Sequence, residues 1–233
     1  MKIFETNLCL MLLLCGMQRA AAQSPTGTAQ LPVNIITSIT DSTKPLVLYI
    51  TGDGGWNRFS RTLSTAFARN GYPVVALNAK DYFWKKKAVA QVSTDVTHLI
   101  KTYQATFKRS KVILIGYSFG ADVLPFVYNN LPAGLRSQVV NINLLSPSNY
   151  TDFEVHILGL FGASASSGQS VATEINKITT KPLTLIFGKG ESDFQLSQLK
   201  IKNFTHVILD GGHHYDDNEI KVCDTIIQHM PKI

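Results

Sequence analysis

The stretch Lys111-Val-Ile-Leu-Ile-Gly-Tyr-Ser-Phe-Gly-Ala-Asp122 constrains this chain more than any other. Its first half is short, apolar and β-branched, as a buried strand requires, and Gly116-Tyr-Ser-Phe-Gly120 is a G-x-S-x-G signature. A strand that turns sharply into a helix holds Ser118 at the apex of the turn. Cβ atoms at Gly116 and Gly120 would crowd such a passage, and the turn itself demands strained backbone angles. Short motifs also match by chance, and an ordinary turn would read the same way. The surrounding chain has to decide whether Ser118 is a nucleophile.

Apolar runs and helical patterns alternate on both sides of this stretch. Residues 45–51 read as a strand that runs into the glycine-rich loop Gly52-Asp-Gly-Gly-Trp56, followed by a helix over 58–70 and a second strand over 71–77. Over 88–107 the apolar positions Val92, Val96, Leu99, Ile100 and Tyr103 share one helical face, with His98 beside it as a surface residue. Ser118 opens a helix over 119–130 that Pro132 and Gly134 stop. Further strands fall at 139–145, 182–187 and 205–209, and a last helix is expected to bury Ile220, Cys223, Ile226, Ile227 and Met230. Residues 153–161 alternate apolar and polar and read as a hairpin or a cap, and 162–170 as a loop of small residues. Strand, helix, strand in repetition predicts an α/β fold: a mostly parallel central sheet with right-handed crossovers and helices on both faces. No repeat, dinucleotide fingerprint or Walker motif interrupts it.

With 233 residues, 45% hydrophobic and 16% charged, the chain suits one globular domain with a full core. The N-terminus departs from that composition. Lys2, the apolar run of residues 8–15 and Ala20-Ala-Ala22 describe a secretory signal peptide over 1–22, too short to serve as a membrane anchor. Lipidation at Cys15 is disfavoured by the bulky Leu14 before it. Residues 23–43 are rich in Ser, Thr and Pro and read as a linker containing an edge-strand candidate at 33–39, so the compact domain is expected over 44–233. These readings imply a periplasmic protein. The net charge of +6 falls to +5 without residues 1–22, which leaves 20 basic and 15 acidic residues. A basic surface of this size is compatible with peripheral contact at an anionic membrane, as is Lys85-Lys-Lys87 beside Phe83 and Trp84, although such runs are more often plain solvated surface. No nucleic-acid partner is expected. Cys223 is the one cysteine outside 1–22 and reads as a small buried hydrophobe.

Three strand ends offer the groups that nucleophilic catalysis by serine needs. A serine hydroxyl attacks only when an imidazole takes its proton and a carboxylate fixes and stabilises that imidazole. Ser118 is followed by an acid in Gly188-Lys-Gly-Glu-Ser-Asp193 and by a histidine in Asp210-Gly-Gly-His-His-Tyr215. Serine, acid, histidine is the chain order of α/β-hydrolases, and all three lie at the carboxyl ends of strands, where ligands of parallel sheets bind. Asp193 is preferred over Glu191 because Asp is the usual type a few residues past the strand end. Adjacent side chains on an extended loop point apart, so only one of His213 and His214 faces Ser118, and the preceding glycines favour His213. The Phe119 N–H and an N–H of the glycine loop, Gly54, would form the oxyanion hole. A metal site built from Asp210, His213, His214, Asp216 and Asp217 is disfavoured, since adjacent histidines chelate poorly. No cofactor or metal is required.

Gly52-Asp-Gly-Gly-Trp56, Asp81-Tyr-Phe-Trp84, Gly116-Tyr-Ser-Phe-Gly-Ala-Asp-Val-Leu-Pro-Phe126, Asn130-Leu-Pro132, Asp152-Phe-Glu154 and Gly211-Gly-His-His-Tyr215 together resemble the bacterial VirJ/AcvB virulence-protein family, from about Lys44 onward. The resemblance implies a periplasmic α/β-hydrolase acting on the ester of aminoacylated phosphatidylglycerol, notably the lysyl form, with a link to type IV secretion. Lys189-Gly-Glu-Ser-Asp193 departs from the acidic loop and cysteine expected there. Asp53, Trp56 and Trp84 are the candidate substrate-binding residues. The Asp53 carboxylate could meet the ammonium of an aminoacyl group, or could simply brace its own loop. Two other functions fit the same residues: a carboxylesterase or thioesterase for soluble substrates, and a catalytically idle module that binds secretion machinery.

Overall fold

The computed structural model describes residues 31–37, 43–156 and 168–232. The expected signal peptide, most of the small-residue loop and the second half of the 153–161 segment lie outside these residues. The compact unit begins at Leu31, ahead of the boundary expected near Lys44.

Seven strands form the main sheet: β1 (Val33–Ile36), β2 (Leu46–Ile50), β3 (Val74–Leu77), β4 (Val112–Tyr117), β5 (Val139–Leu145), β8 (Leu183–Gly188) and β9 (Phe204–Leu209). Between β5 and β8 in the chain, the two-residue strands β6 (Tyr150–Thr151) and β7 (Gln169–Ser170) pair antiparallel as a separate ladder. The order across the main sheet is β1-β3-β2-β4-β5-β8-β9, parallel throughout except for β1, which runs antiparallel to β3. The segment read from the sequence as a linker therefore supplies an edge strand of the domain. β4 lies at the centre, between β2 and β5.

Side chains on a strand alternate between the two faces of the sheet, and here both faces are covered, which is why β2, β3 and β4 are apolar without interruption. Leu46, Leu48 and Ile50 of β2 face a core shared with helices α3 (Val89–Phe107) and α4 (Phe119–Asn130). Short α2 (Ala79–Tyr82), α5 (Ala133–Gln138) and α6 (Val171–Ile175) complete that side. Val47 and Tyr49 face the opposite core, with α1 (Arg58–Arg69) and α7 (Glu219–His229). Asn57 caps α1, its Oδ1 accepting from the Ser60 N–H at 3.0 Å, so the glycine loop after β2 ends where that helix begins. One expectation fails on α7. Ile220 is 55% exposed, whereas Cys223 and Ile226 are buried as expected, joined by Glu219 and Val222, with Ile227 and Met230 partly buried against the core. The inward stripe runs i, i+3, i+4, i+7 from Glu219, one residue and about 100° away from Ile220.

The placement of α4 depends on bare backbone. A Cβ on Gly120 would lie 2.1 Å from the Ile50 carbonyl oxygen, so the first turn of α4 rests on the end of β2 through main chain alone. Gly120→Ala should separate that contact and cost at least about 2 kcal/mol of stability. The expected signature is a lower urea midpoint at unchanged slope.

Candidate active site

β4 ends at Tyr117, and α4 starts at Phe119, so Ser118 makes the whole turn between strand and helix. Its backbone sits at φ 51°, ψ −121°, a conformation that disfavours any side chain and costs about 1–3 kcal/mol. Three main-chain bonds hold it there. The Ser118 N–H donates to the Leu145 carbonyl at 2.8 Å, and its own carbonyl accepts from Ala121 and Asp122 at 2.7 and 3.1 Å, opening the helix. The side chain is thereby lifted above the carboxyl ends of β4 and β5.

His213 stands over it. Its Nε2 lies 2.9 Å from Ser118 Oγ, and its Nδ1 lies 2.6 Å from Glu191 Oε1. Glu191 Oε2 accepts from Ser146 Oγ at 2.7 Å and from the Gly188 N–H at 2.5 Å. Glu191 is nearly buried and His213 partly open. Burial alone would raise the Glu191 pKa, but hydrogen bonds from His213, Ser146 and Gly188 outweigh it and hold the carboxyl below its ordinary value. Burial likewise opposes charge on His213, yet the bond to Glu191 and the nearby charges of Glu191, Asp53 and Asp193 raise its pKa. A serine hydroxyl, an imidazole and an ionised carboxylate in one line can activate an oxygen nucleophile.

The acid on this line is Glu191, which corrects the expectation of Asp193. Glu191 closes a turn at the end of β8, its N–H reaching the Gly188 carbonyl at 3.2 Å, and its longer side chain spans the remaining distance to His213. Asp193, two residues further, has already turned into solvent and acts on His213 only as a nearby charge. Gly188 makes the approach of the two loops feasible, since a Cβ there would lie 2.0 Å from the Gly212 carbonyl oxygen. The histidine loop can therefore lie directly on the start of the acid loop.

Tyr117, next to Ser118, fixes that histidine loop from below. Its hydroxyl meets the His213 carbonyl at 3.0 Å and His214 Nδ1 at 2.9 Å, while its ring stacks on Phe59 at 4.2 Å between centroids. His214 is thus an exposed rim residue held by the tyrosine, and His213 is the one turned to Ser118. Asp122 fixes the neighbouring loop: its carboxylate accepts from the Ser148 N–H at 2.6 Å and from Ser148 Oγ at 2.7 Å. Burial pushes the Asp122 pKa up to about 7 in spite of those bonds. Neither Tyr117 nor Asp122 was assigned a role from sequence, although both lie inside the stretch that carries the serine.

The glycine loop is arranged differently from expectation. The Gly54 N–H donates to Asp53 Oδ1 at 2.8 Å and the Gly55 N–H to the Gly52 carbonyl at 2.9 Å, so Gly54 is not a free donor. Gly52 lies against the serine: a Cβ built on it would be 3.3 Å from Ser118 Cβ. Among the described residues neither the Asp53 nor the Phe119 N–H has a hydrogen-bond acceptor. Trp56 is half-buried against the core beneath α1, whereas Trp84 is 52% exposed. Phe83 before it is fully buried, its ring 5.0 Å from that of Phe119, which sets Trp84, Lys85 and Lys86 on the shoulder of the site. Lys87 folds back over the Tyr82 ring at 5.2 Å. For a metal, His213 has both nitrogens engaged. Asp152, Glu154 and His156 could bring three ligand atoms within 4.8 Å, but His156 is exposed and already meets Asp152 at 2.6 Å.

A mostly parallel sheet with helices on both faces, and a serine turn, an acid and a histidine at strand ends, defines an α/β-hydrolase fold. The chain belongs to the family described as bacterial virulence protein (VirJ), whose model matches residues 44–233. Solved structures agree on the fold. Est1E of Butyrivibrio proteoclasticus, with ferulic acid bound, shares 14% identity at a TM-score of 0.60, over 85% of this chain and 93% of that one. MenH from S. aureus shares 12% at 0.60, over 84% and 98%. A putative dienelactone hydrolase from Klebsiella pneumoniae shares 14% at 0.58, over 85% and 90%. No curated protein sequence matches the chain.

Glu191→Gln should lower the His213 pKa, because the negative charge that offsets burial disappears and any remaining Nδ1–H bond is to a neutral amide. An NMR titration of the His213 ring is expected to show that fall. Asp193→Asn should produce a much smaller one.

Proposed function

We propose that this protein is a serine ester hydrolase whose substrate is an aminoacylated phospholipid of the lysyl-phosphatidylglycerol type. Ser118 Oγ attacks the ester carbonyl while His213 Nε2 takes its proton, and Glu191 stabilises the imidazolium through Nδ1–H. The Phe119 N–H and, in place of Gly54, the Asp53 N–H receive the developing oxyanion. Collapse expels the alcohol, which takes its proton from His213. Water activated by the same imidazole then releases the acyl group from Ser118. What supports this is the unbroken contact from Ser118 through His213 to Glu191, at 2.9 and 2.6 Å. Esterases share the fold.

Two features favour a lipid with a cationic acyl group. Asp53 Oδ1 braces its loop through Gly54, while Oδ2 has no partner among the described residues and the carboxylate is close enough to raise the His213 pKa. Its open oxygen suits an ammonium on the acyl side. On the shoulder beside Phe119, Trp84, Lys85 and Lys86 combine an aromatic side chain with two exposed cations, which suits anionic headgroups at a membrane surface. A basic, short apolar leader ending in Ala20-Ala-Ala22 supports a periplasmic setting for this chemistry.

Lipid extracts incubated with wild type should lose aminoacyl-phosphatidylglycerol by mass spectrometry, and Ser118→Ala should lower turnover on the order of a millionfold. Asp53→Asn should impair lysyl esters far more than neutral esters. Equal losses on both would remove the ammonium contact, and an active Ser118→Ala would remove the serine mechanism.

Binding to phosphatidylglycerol vesicles should weaken with salt. Replacing Lys85 and Lys86 together by Glu should weaken it by about 30-fold or more, at roughly 1 kcal/mol per cation near the surface. Binding indifferent to both would exclude the membrane role of this shoulder.

A further inference from the structure

Glu191 has one more rotatable bond than an aspartate would have in its place, so a single contact at Oε1 would leave the carboxylate free to swing away from His213. The structure closes that freedom at the other oxygen. Oε2 is held between the Gly188 N–H at the end of β8 and Ser146 Oγ just past β5, two donors from neighbouring strands. Ser146 is 3% exposed and adopts φ 50°, a left-handed conformation unfavourable to a residue with a side chain. Its N–H donates to the Ile186 carbonyl at 2.8 Å, which fixes the backbone so that the hydroxyl points at the acid. Tyr215 OH lies 2.6 Å from Ser146 Oγ and 3.0 Å from the Ile186 carbonyl oxygen, two acceptors for its one proton. With its single proton directed at Glu191, Ser146 Oγ can only accept from that phenol, whose one proton is shared between Ser146 Oγ and the Ile186 carbonyl.

We propose that Ser146 is a positioning residue for the reaction, its hydroxyl locking the Glu191 carboxylate so that Oε1 keeps His213 in the Nδ1–H tautomer. The inference rests on the serine hydrolase reading above. Ser146 touches neither substrate nor Ser118; it acts through Glu191. Strain at Ser146 is retained for what its side chain reaches, as at Ser118.

Ser146→Gly separates this role from a structural one. It removes the hydroxyl yet suits the positive φ, and Tyr215 OH keeps its bond to Ile186, so the fold has little to lose. The expected result is a kcat lower by about 10- to 100-fold with KM within about twofold, since a small misplacement of a reacting group has effects of that size. The downfield Nδ1 proton resonance of His213 should shift or broaden, and the thermal midpoint should stay near that of wild type. Ser146→Ala, which keeps the strain, should show the same kcat loss. Wild-type kcat in both variants, an unmoved Nδ1 resonance, or a kcat loss that in both variants accompanies unfolding would overturn the proposal. Activity surviving in Ser118→Ala would instead overturn the underlying mechanism, so the two failures are distinguishable.

Discussion

Main-chain contact between the start of α4 and the ends of β2 and β4 is the constraint on which the remaining architecture turns. With Gly120 resting on the Ile50 carbonyl, the chain has one residue in which to reverse from strand to helix, and that residue is forced to positive φ. The strain is small beside what it permits. Burial of Val123, Leu124 and Val127 on the same helix contributes several kcal/mol, against about 1–3 kcal/mol for the backbone of Ser118. The serine is presented because the helix must pack, and the packing needs no contribution from the serine side chain.

Around that fixed point the supports are shared between strands. The Leu145 carbonyl at the end of β5 holds Ser118, Ser146 after it holds Glu191 from β8, and Tyr117 at the end of β4 holds the loop after β9. Each group of the site is therefore secured by a strand other than its own. Small motions of one loop are opposed by its neighbours, and a parallel sheet, with its strand ends side by side, provides this arrangement without further elements.

Most of the fold was legible because its signals are local. Uninterrupted apolar runs marked strands buried on both faces, and α4 fell where Ser118 and Pro132 bracket it. The exceptions were boundary and phase. The α7 stripe departs from expectation at Ile220, because a helix with apolar residues at 220, 222, 223, 226 and 227 fits two overlapping faces and only the packing partner chooses between them. In the site, the serine and histidine were readable from glycine spacing. The acid was not: Glu191 and Asp193 differ in which one the turn at Gly188 aims inward, and residue type pointed the other way. Gly54 failed for a similar reason, since nothing in Gly52-Asp-Gly-Gly tells that the Asp53 side chain will take the next N–H. Ser146 belongs to no motif and Tyr215 merely closes the histidine motif, and only the contacts from Tyr215 to Ser146 and from Ser146 to Glu191 reveal their part.

The loop after β5 joins two carboxyl groups with opposite responses to acid. Asp122, gripping Ser148, has its folded pKa raised to about 7 from an ordinary 3.8, so its contribution to stability is greatest below the unfolded value and is lost as pH rises toward neutrality. Glu191, gripped by Ser146, has its folded pKa lowered, so its contribution is present above the unfolded value and is lost as pH falls through the folded one. Ionisation of Asp122 toward neutral pH strengthens its bonds from Ser148 but leaves a buried charge that burial penalises, whereas Glu191 loses its bonds only toward strong acid. Across the mildly acid range the catalytic end of the loop therefore keeps its full ionic support while only the Asp122 end changes its share of the folding free energy.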